Sequence, residues 1–176
     1  MCKDFLIIAG PCSGESEEQL FTTAKQLKEQ VAPDYFRAGI WKPRTRPGSF
    51  EGIGNKGLKW LEEIQKEFNI KAITEAGSKE HIELLQQHHI NSFWIGARTV
   101  ANPFSVQQIA EAAANTNMTV FVKNPIHPDI ELWTGAIERF LYLGIKNVFA
   151  IHRGFYPYEK THLRNVPRWE IPIELA

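Results

Sequence analysis

Short apolar runs alternate with amphipathic segments along this chain, and most of the runs end in a cationic or sulfur-bearing side chain. The apolar runs predict strands over Phe5–Ala9, Tyr35–Gly39, Lys71–Glu75, Ser92–Gly96, Thr119–Lys123 and Asn147–His152. Helical periodicity predicts helices over Glu17–Gln30, Gly57–Phe68, Ser78–His88, Pro103–Ala114 and Ile130–Leu143. The strands follow one another at roughly 25–35 residues, the length of a βα unit. The alternation therefore predicts an α/β protein with parallel strands.

Two architectures share this pattern, an open doubly wound sheet and a closed (β/α)₈ barrel. The chain has 176 residues, whereas a full barrel takes about 200 residues or more. The tail from Arg164 to Ala176 has no helical pattern, and Trp169–Ile173 is consistent with the approach to another strand. The residues alone leave two alternatives, a barrel of about six βα units or an open six-stranded sheet. No linker divides the chain, so one domain is predicted over residues 1–176.

Charge and cysteine content restrict the class of partner. Lys and Arg total 20 and Asp and Glu total 20, so the formal net charge is 0. A general attraction to nucleic acid or to a membrane surface is therefore not expected. No apolar stretch is long enough to span a bilayer, and the first one is too short for a signal peptide. The two thiols, Cys2 and Cys12, are too few for a disulfide framework, which indicates a cytoplasmic protein.

The candidate functional residues stand at or just beyond the carboxyl ends of the predicted strands. They are Cys12, Arg37, Lys42, Ala97, Arg98, Lys123 and Arg153. Strand ends converge in parallel α/β folds, and several cations together would bind anions. Each residue also has a structural interpretation, because a buried thiol often packs as a small hydrophobe and a strand-end lysine often reaches for solvent. The loop Lys42-Pro43-Arg44-Thr45 is either a phosphate site or a solvated turn.

Five segments, in order and over essentially the whole chain, resemble 3-deoxy-D-arabino-heptulosonate 7-phosphate (DAHP) synthase, in the compact branch without a regulatory domain. They are Ala9-Gly10-Pro11-Cys12-Ser13 with Glu15-Ser16, Arg37 with Lys42-Pro43-Arg44-Thr45, Gly96-Ala97-Arg98, Val122-Lys123, and His152-Arg153-Gly154. The sister family that makes an eight-carbon keto-sugar phosphate has Lys-Ala-Asn-Arg where this chain has Lys42–Thr45. That difference favours the four-carbon acceptor.

The resemblance implies a (β/α)₈ barrel of the aldolase type and a metal-dependent aldol-type transferase. Such an enzyme condenses phosphoenolpyruvate with erythrose 4-phosphate at the first step of the shikimate pathway of aromatic amino acid biosynthesis. A homo-oligomer is expected, and fusion or association with chorismate mutase occurs in some relatives. A non-catalytic phosphate-binding fragment of that barrel is the alternative function.

The resemblance also assigns roles to the strand-end residues. Lys42 and Lys123 would be catalytic and would lie, with Arg37, around the carboxylate and the reacting centre of phosphoenolpyruvate. The groups that would hold the phosphate of phosphoenolpyruvate are Ala97 through its backbone, Arg98 and Arg153.

The remaining roles concern the acceptor and the metal. Arg44 and Thr45 would hold the sugar phosphate, and Cys12 would be one ligand of a divalent ion such as Mn, Fe, Co or Zn. The family's other ligands, a His, a Glu and an Asp, come from the region of strands 7 and 8. We therefore expect a C-terminally truncated barrel whose own activity is doubtful. One position departs from the family pattern, because His152 stands where a Glu is usual.

Overall fold

The structure, a computed structural model, describes residues 5–176, so Cys2 lies outside the described residues. The strands are β1 (Ile8–Ala9), β2 (Tyr35–Arg37), β3 (Lys71–Glu75), β4 (Ser92–Ile95), β5 (Thr119–Lys123) and β6 (Asn147–Ile151). The helices are α1 (Glu17–Gln30), α2 (Lys56–Phe68), α3 (Lys79–Gln87), α4 (Ala97–Val100), α5 (Pro103–Ala113), α6 (Ile130–Tyr142) and α7 (Glu170–Leu175). Across residues 5–176, no helix combines the length and the apolar character that a membrane crossing requires.

The strands follow one another in chain order in one six-stranded sheet. The pairs β1–β2, β2–β3 and β5–β6 are all parallel. A doubly wound sheet reverses its strand order at a switch point, and the order of these six strands contains no reversal. Consecutive parallel strands with intervening helices are the pattern of a (β/α)₈ barrel. The predicted fold class is confirmed, with six βα units of that barrel described.

The predicted helices form; α1 has the predicted ends, and the ends of the others differ from the predicted ones by at most one residue. Ser78 accepts a hydrogen bond from the backbone N–H of His81 at 3.4 Å, as a capping residue does. Pro103 occupies the first turn of α5, where its missing N–H costs nothing. Gly144 follows α6 with a φ of 81°, the left-handed conformation in which glycine commonly ends a helix.

The tail differs from its prediction. The interpretation of Trp169–Ile173 as the approach to a strand is wrong, because Glu170–Leu175 form the helix α7. Pro172 is tolerated there since it lies in the first turn, whose N–H groups have no partner within the helix. The N–H of Ile173 donates to the carbonyl of Trp169 at 3.2 Å. The short helix α4, which the sequence analysis did not predict, begins directly after Gly96.

The chain divides into two compact units. The first unit comprises the described residues up to Glu75 together with Glu83–Phe93, and the second comprises Ala76–Ile82 together with Trp94–Ala176. Burial in the first unit centres on side chains such as Phe36 and Leu61. In the second unit the indole N–H of buried Trp133 in α6 donates to the carbonyl of Val122 in β5 at 3.1 Å. Each large buried side chain contributes about 1.5–3 kcal/mol to stability and so fixes the strand ends from which the functional residues project.

Candidate anion-binding site

Three of the predicted site residues lie together in the first unit, and we call Cys12, Arg37 and Lys42 the thiol cluster. The ammonium of Lys42 donates to the carbonyl of Cys12 at 2.7 Å and to its Sγ at 3.6 Å. Gly39 makes this approach possible, because a Cβ at position 39 would lie 2.8 Å from the Cys12 carbonyl oxygen and 3.3 Å from Lys42 Nζ. The cluster therefore places an ammonium and a guanidinium next to a thiol.

The thiol of Cys12 is biased towards its charged form. Partial burial raises its pKa, but the charges of Lys42 and Arg37, and the hydrogen bonds from both, outweigh burial and bring the pKa below its ordinary value. A thiolate is the form of cysteine that binds metals. Within residues 5–176, however, no group of three or more His, Cys, Asp or Glu side chains is placed to hold a metal ion. The described residues thus supply one candidate ligand and do not by themselves fit a divalent ion.

The basic loop between β2 and α2, which contains Lys42–Thr45, is mostly exposed and is held by hydrogen bonds between its own residues. The guanidinium Nε of Arg44 donates to the carbonyl of Phe50 at 2.8 Å, and the N–H of Lys42 donates to the carbonyl of Glu51 at 2.8 Å. Both Arg44 and Thr45 are exposed to solvent. The loop therefore presents a cation and a hydroxyl at the surface, with the arginine side chain held against its own loop.

Three guanidinium groups interact in the second unit, and we call Arg98, Arg153 and Arg164 the arginine cluster. Burial, followed by the charges of Arg164 and Arg98, lowers the pKa of Arg153 below its ordinary value. Arginine nevertheless keeps its proton at neutral pH. Among the described residues no carboxylate forms an ion pair with Arg153. The charge of Arg153, which no carboxylate among residues 5–176 neutralises, attracts an anion, and its guanidinium fork suits a phosphate.

The other two predicted residues of the second unit are Ala97, which precedes Arg98 in the chain, and Lys123 at the end of β5. Ala97 is the first residue of α4, so its N–H belongs to the first turn, which lacks acceptors within the helix. Lys123 ends β5, and its ammonium lies 4.6 Å from the centroid of the Trp94 ring. A cation over an indole face is held electrostatically by the ring. Lys123 is therefore positioned by an aromatic neighbour instead of reaching freely into solvent.

Sequence reasoning missed Arg164 and two asparagines that contact Arg153. Asn124 is fully buried, and its Oδ1 accepts from the backbone N–H of Arg153 at 2.7 Å. Asn165 Oδ1 accepts from Nη2 of Arg153 at 2.8 Å. The position of Asn124, directly after Lys123 at a strand end, was a usable signal. Asn165 lies in a loop without periodicity, and no sequence signal indicated it.

His152, the position where the family pattern has Glu, does not belong to the arginine cluster. Its ring lies among Trp133, Phe155 and Trp169, with centroid distances of 6.4, 5.5 and 5.0 Å. Neither ring nitrogen has a hydrogen-bond partner among the described residues. Burial lowers the pKa of His152, and the charge of Glu170 opposes that shift only in part. The aromatic surroundings of His152 therefore favour the neutral form of its imidazole.

The chain resembles known proteins over nearly its whole length. The model of the DAHP synthetase I family matches residues 2–170. Phospho-2-dehydro-3-deoxyheptonate aldolase of Thermotoga maritima is 31% identical over 169 residues, which cover 96% of this chain and 48% of that protein. A 2-dehydro-3-deoxyphosphooctonate aldolase of Campylobacter jejuni subsp. doylei is 40% identical over 79 residues, which cover 42% of this chain and 30% of that protein.

Solved structures give the same result. The crystal structure of DAHP synthase from Thermotoga maritima has a TM-score of 0.83 at 29% identity, and the match covers 97% of this chain and 47% of that chain. A truncated form of the Thermotoga maritima synthase has a TM-score of 0.79 at 28% identity and is covered to 59%. The chain spans about half the length, or less, of the curated relatives it matches. On the family match and on these likenesses, the chain belongs to the DAHP synthetase I family.

Proposed function

We propose that this chain is a 3-deoxy-7-phosphoheptulonate synthase, which condenses phosphoenolpyruvate with erythrose 4-phosphate and releases phosphate at the first step of the shikimate pathway. Family membership supports the reaction class. The single observation that carries the proposal is the arginine cluster, in which the charges of the exposed Arg98 and Arg164 act on the partly buried Arg153; such a group of cations is suited to a phosphate. The alternative of a non-catalytic phosphate-binding fragment is not favoured by the family match.

The arginine cluster has the chemistry to bind the phosphate of phosphoenolpyruvate. Arg98 and Arg153 offer guanidinium forks, and the N–H of Ala97 adds a neutral donor. Charge-assisted contacts of this type contribute about 1.5–3 kcal/mol each. In the proposed reaction, C3 of phosphoenolpyruvate forms a bond to the aldehyde carbon of the acceptor. Water supplies the keto oxygen at C2 and the proton that the aldehyde oxygen takes up, and phosphate leaves C2. Fixing the phosphate holds C3 in place and so reduces the entropic part of the barrier.

Two lysines are proposed to act near the reacting centre. Lys42 is held by the carbonyl of Cys12, and Lys123 is held over the ring of Trp94. With Arg37, they would neutralise the carboxylate of phosphoenolpyruvate and the charge that develops on oxygen during the reaction. Cations whose positions are fixed before the reaction stabilise such charge without reorganising.

The exposed loop is proposed to select the acceptor. Arg44 and Thr45 would bind the phosphate of erythrose 4-phosphate, and Pro43 stiffens the spacing between Lys42 and Arg44 by fixing its own φ. Nε of Arg44 donates to the carbonyl of Phe50 in its own loop at 2.8 Å, and the terminal N–H groups of its fork are suited to a phosphate.

The DAHP synthase family is generally metal-dependent. Cys12 remains the candidate ligand in this chain, and the choice among Mn, Fe, Co and Zn stays a prediction. Since the described residues supply one candidate ligand, we derive no step of the reaction through a metal. The homo-oligomer, the association with chorismate mutase and the cytoplasmic location also stay predictions.

The test is an assay of phosphate release with divalent metal ion, phosphoenolpyruvate and either of two acceptors. The proposal expects release with erythrose 4-phosphate to exceed release with arabinose 5-phosphate, the five-carbon acceptor that would give an eight-carbon product. The Thermotoga maritima relative serves as the positive control. Release that depends on the five-carbon acceptor alone, or no release under conditions in which the control turns over, would contradict the proposal.

A further inference from the structure

Arg153 is held by amide groups and carbonyls, with no acid among its contacts in the described residues. Its Nη2 donates to Oδ1 of Asn165 at 2.8 Å, and its Nη1 donates to the carbonyl of Gly154 at 3.3 Å. Its backbone N–H donates to Oδ1 of Asn124 at 2.7 Å. All of these acceptors are neutral, so they fix the guanidinium without cancelling its charge.

The loop that follows β6 is built to bring Asn165 to Arg153. Phe155 and Val166 form an isolated antiparallel bridge, in which the two N–H···O distances are 2.9 and 2.8 Å. Gly154 has a φ of 76°, and a Cβ at this position would lie 3.1 Å from Asn165 Cβ and 3.1 Å from the carbonyl oxygen of Val166. Only glycine accepts that conformation and that approach without strain. The bridge therefore returns the chain to Arg153 after a loop of ten residues.

The buried amide of Asn124 secures the other side of the same turn. Its Nδ2 donates to the carbonyl of Pro125 at 2.8 Å and to that of Gly154 at 2.9 Å. A fully buried amide with these bonds and the bond from Arg153 satisfies its polar groups, and such networks rigidify what they join. The turn that carries Arg153 is thus fixed from the end of β5, while Asn165 fixes the tip of the side chain.

We propose that Asn165 is a positioning residue of the phosphate site, which orients the Arg153 guanidinium through a neutral acceptor and leaves its charge to the phosphate. This inference rests on the proposed function, because it concerns the same phosphate-binding residues. A carboxylate at position 165 would orient the guanidinium equally well and would also neutralise it. The identity of the acceptor, and not only its presence, therefore matters for an anion ligand.

The test compares three variants of the full chain with the wild type by calorimetric titration, once with phosphoenolpyruvate and once with inorganic phosphate. Asn165→Ala removes the acceptor and is expected to weaken phosphoenolpyruvate binding by about three- to ten-fold, as for one lost hydrogen bond. Asn165→Asp keeps the acceptor but adds a negative charge, and is expected to weaken binding by more than about ten-fold. Asn91→Ala, at an exposed position in the first unit, is the matched control and should bind as the wild type does.

The order of the variants' affinities for the ligand distinguishes a positioning role of Asn165 from a purely structural one. If Asn165 served only the fold, the aspartate variant would bind as well as the alanine variant or better, and would melt at least as high. Wild-type binding of phosphoenolpyruvate that Asn165→Asp leaves unchanged would overturn the inference while the proposed function stands. If inorganic phosphate binds most tightly to the wild type, less tightly to Asn165→Ala and least tightly to Asn165→Asp, while phosphoenolpyruvate does not bind, the result would support positioning and contradict the proposed function. A wild-type chain that binds neither ligand would overturn both.

Discussion

The two units present their cations in opposite ways. In the first unit, Arg44 lies on an exposed loop, and its Nε donates to the carbonyl of Phe50 in the same loop. In the second unit, Arg153 is half-buried and fixed by neutral acceptors at its tip and its backbone. The Arg153 side chain is therefore already ordered before a ligand binds, whereas binding at the loop must also order the Arg44 side chain, which lowers the affinity. This difference suits a fixed site for phosphoenolpyruvate and an adaptable one for the acceptor.

The largest effect is expected in the arginine cluster. Arg98→Ala removes one charge-assisted contact to the phosphate, which is worth about 1.5–3 kcal/mol, and so weakens phosphoenolpyruvate binding by more than about ten-fold. Calorimetric titration measures the change. Arg168→Ala, which removes an exposed arginine paired with Glu170 at 2.6 Å, is the matched control and should leave the affinity unchanged. Equal affinities for wild type and Arg98→Ala would remove the basis for a phosphate site in the second unit.

A smaller and more selective effect is expected in the loop. Arg44→Ala should raise KM for erythrose 4-phosphate several-fold, because part of its binding energy is spent on ordering the side chain, while KM for phosphoenolpyruvate changes little. Steady-state phosphate release at varied concentrations of each substrate measures both constants. Arg46→Ala, a change at another exposed position of the same loop, controls for general loss of positive charge. Equal changes for both substrates would show that the loop is not specific for the acceptor.

The smallest effect concerns the stability of the second unit. Because burial lowers the pKa of His152 in the folded chain, the unfolded chain takes up the proton first as the pH falls. The stability present above the unfolded pKa, about 6.5, is then lost as the pH falls through that value towards the folded pKa. His152→Phe should therefore reduce the drop in melting temperature between about pH 7 and pH 5.

The control for replacing an imidazole by a phenyl ring is His162→Phe, a change at an exposed position in the loop after β6. The expected result is a smaller drop for His152→Phe than for the wild type or the control. An undiminished drop in His152→Phe would mean that the aromatic surroundings of His152 do not hold it neutral.

Local rules account for most of what the sequence predicted correctly. The six strands and the helices α1, α2, α3, α5 and α6 follow from the periodicity of their own segments. The cations Arg37, Lys123 and Arg153 stand next to the apolar runs that position them. The tail was misinterpreted because Pro172 and apolar neighbours argue against a helix unless the first turn is recognised. Asn165 was missed for a different reason: its contact with Arg153 depends on a loop closed by the Phe155–Val166 bridge. No periodicity carries that information.

The division of the two phosphates between Arg98 and Arg153 on one side and Arg44 on the other is measured most directly by a two-dimensional ¹H–¹⁵N spectrum of the arginine side chains during titration with each substrate. The Arg44, Arg98 and Arg153 signals are assigned from single Arg→Lys variants. We expect phosphoenolpyruvate to shift the signals of Arg98 and Arg153 and to leave that of Arg44 in place, while erythrose 4-phosphate shifts the Arg44 signal. A shift of the Arg44 signal by phosphoenolpyruvate, with the Arg98 and Arg153 signals unmoved, would contradict this division of the two phosphates.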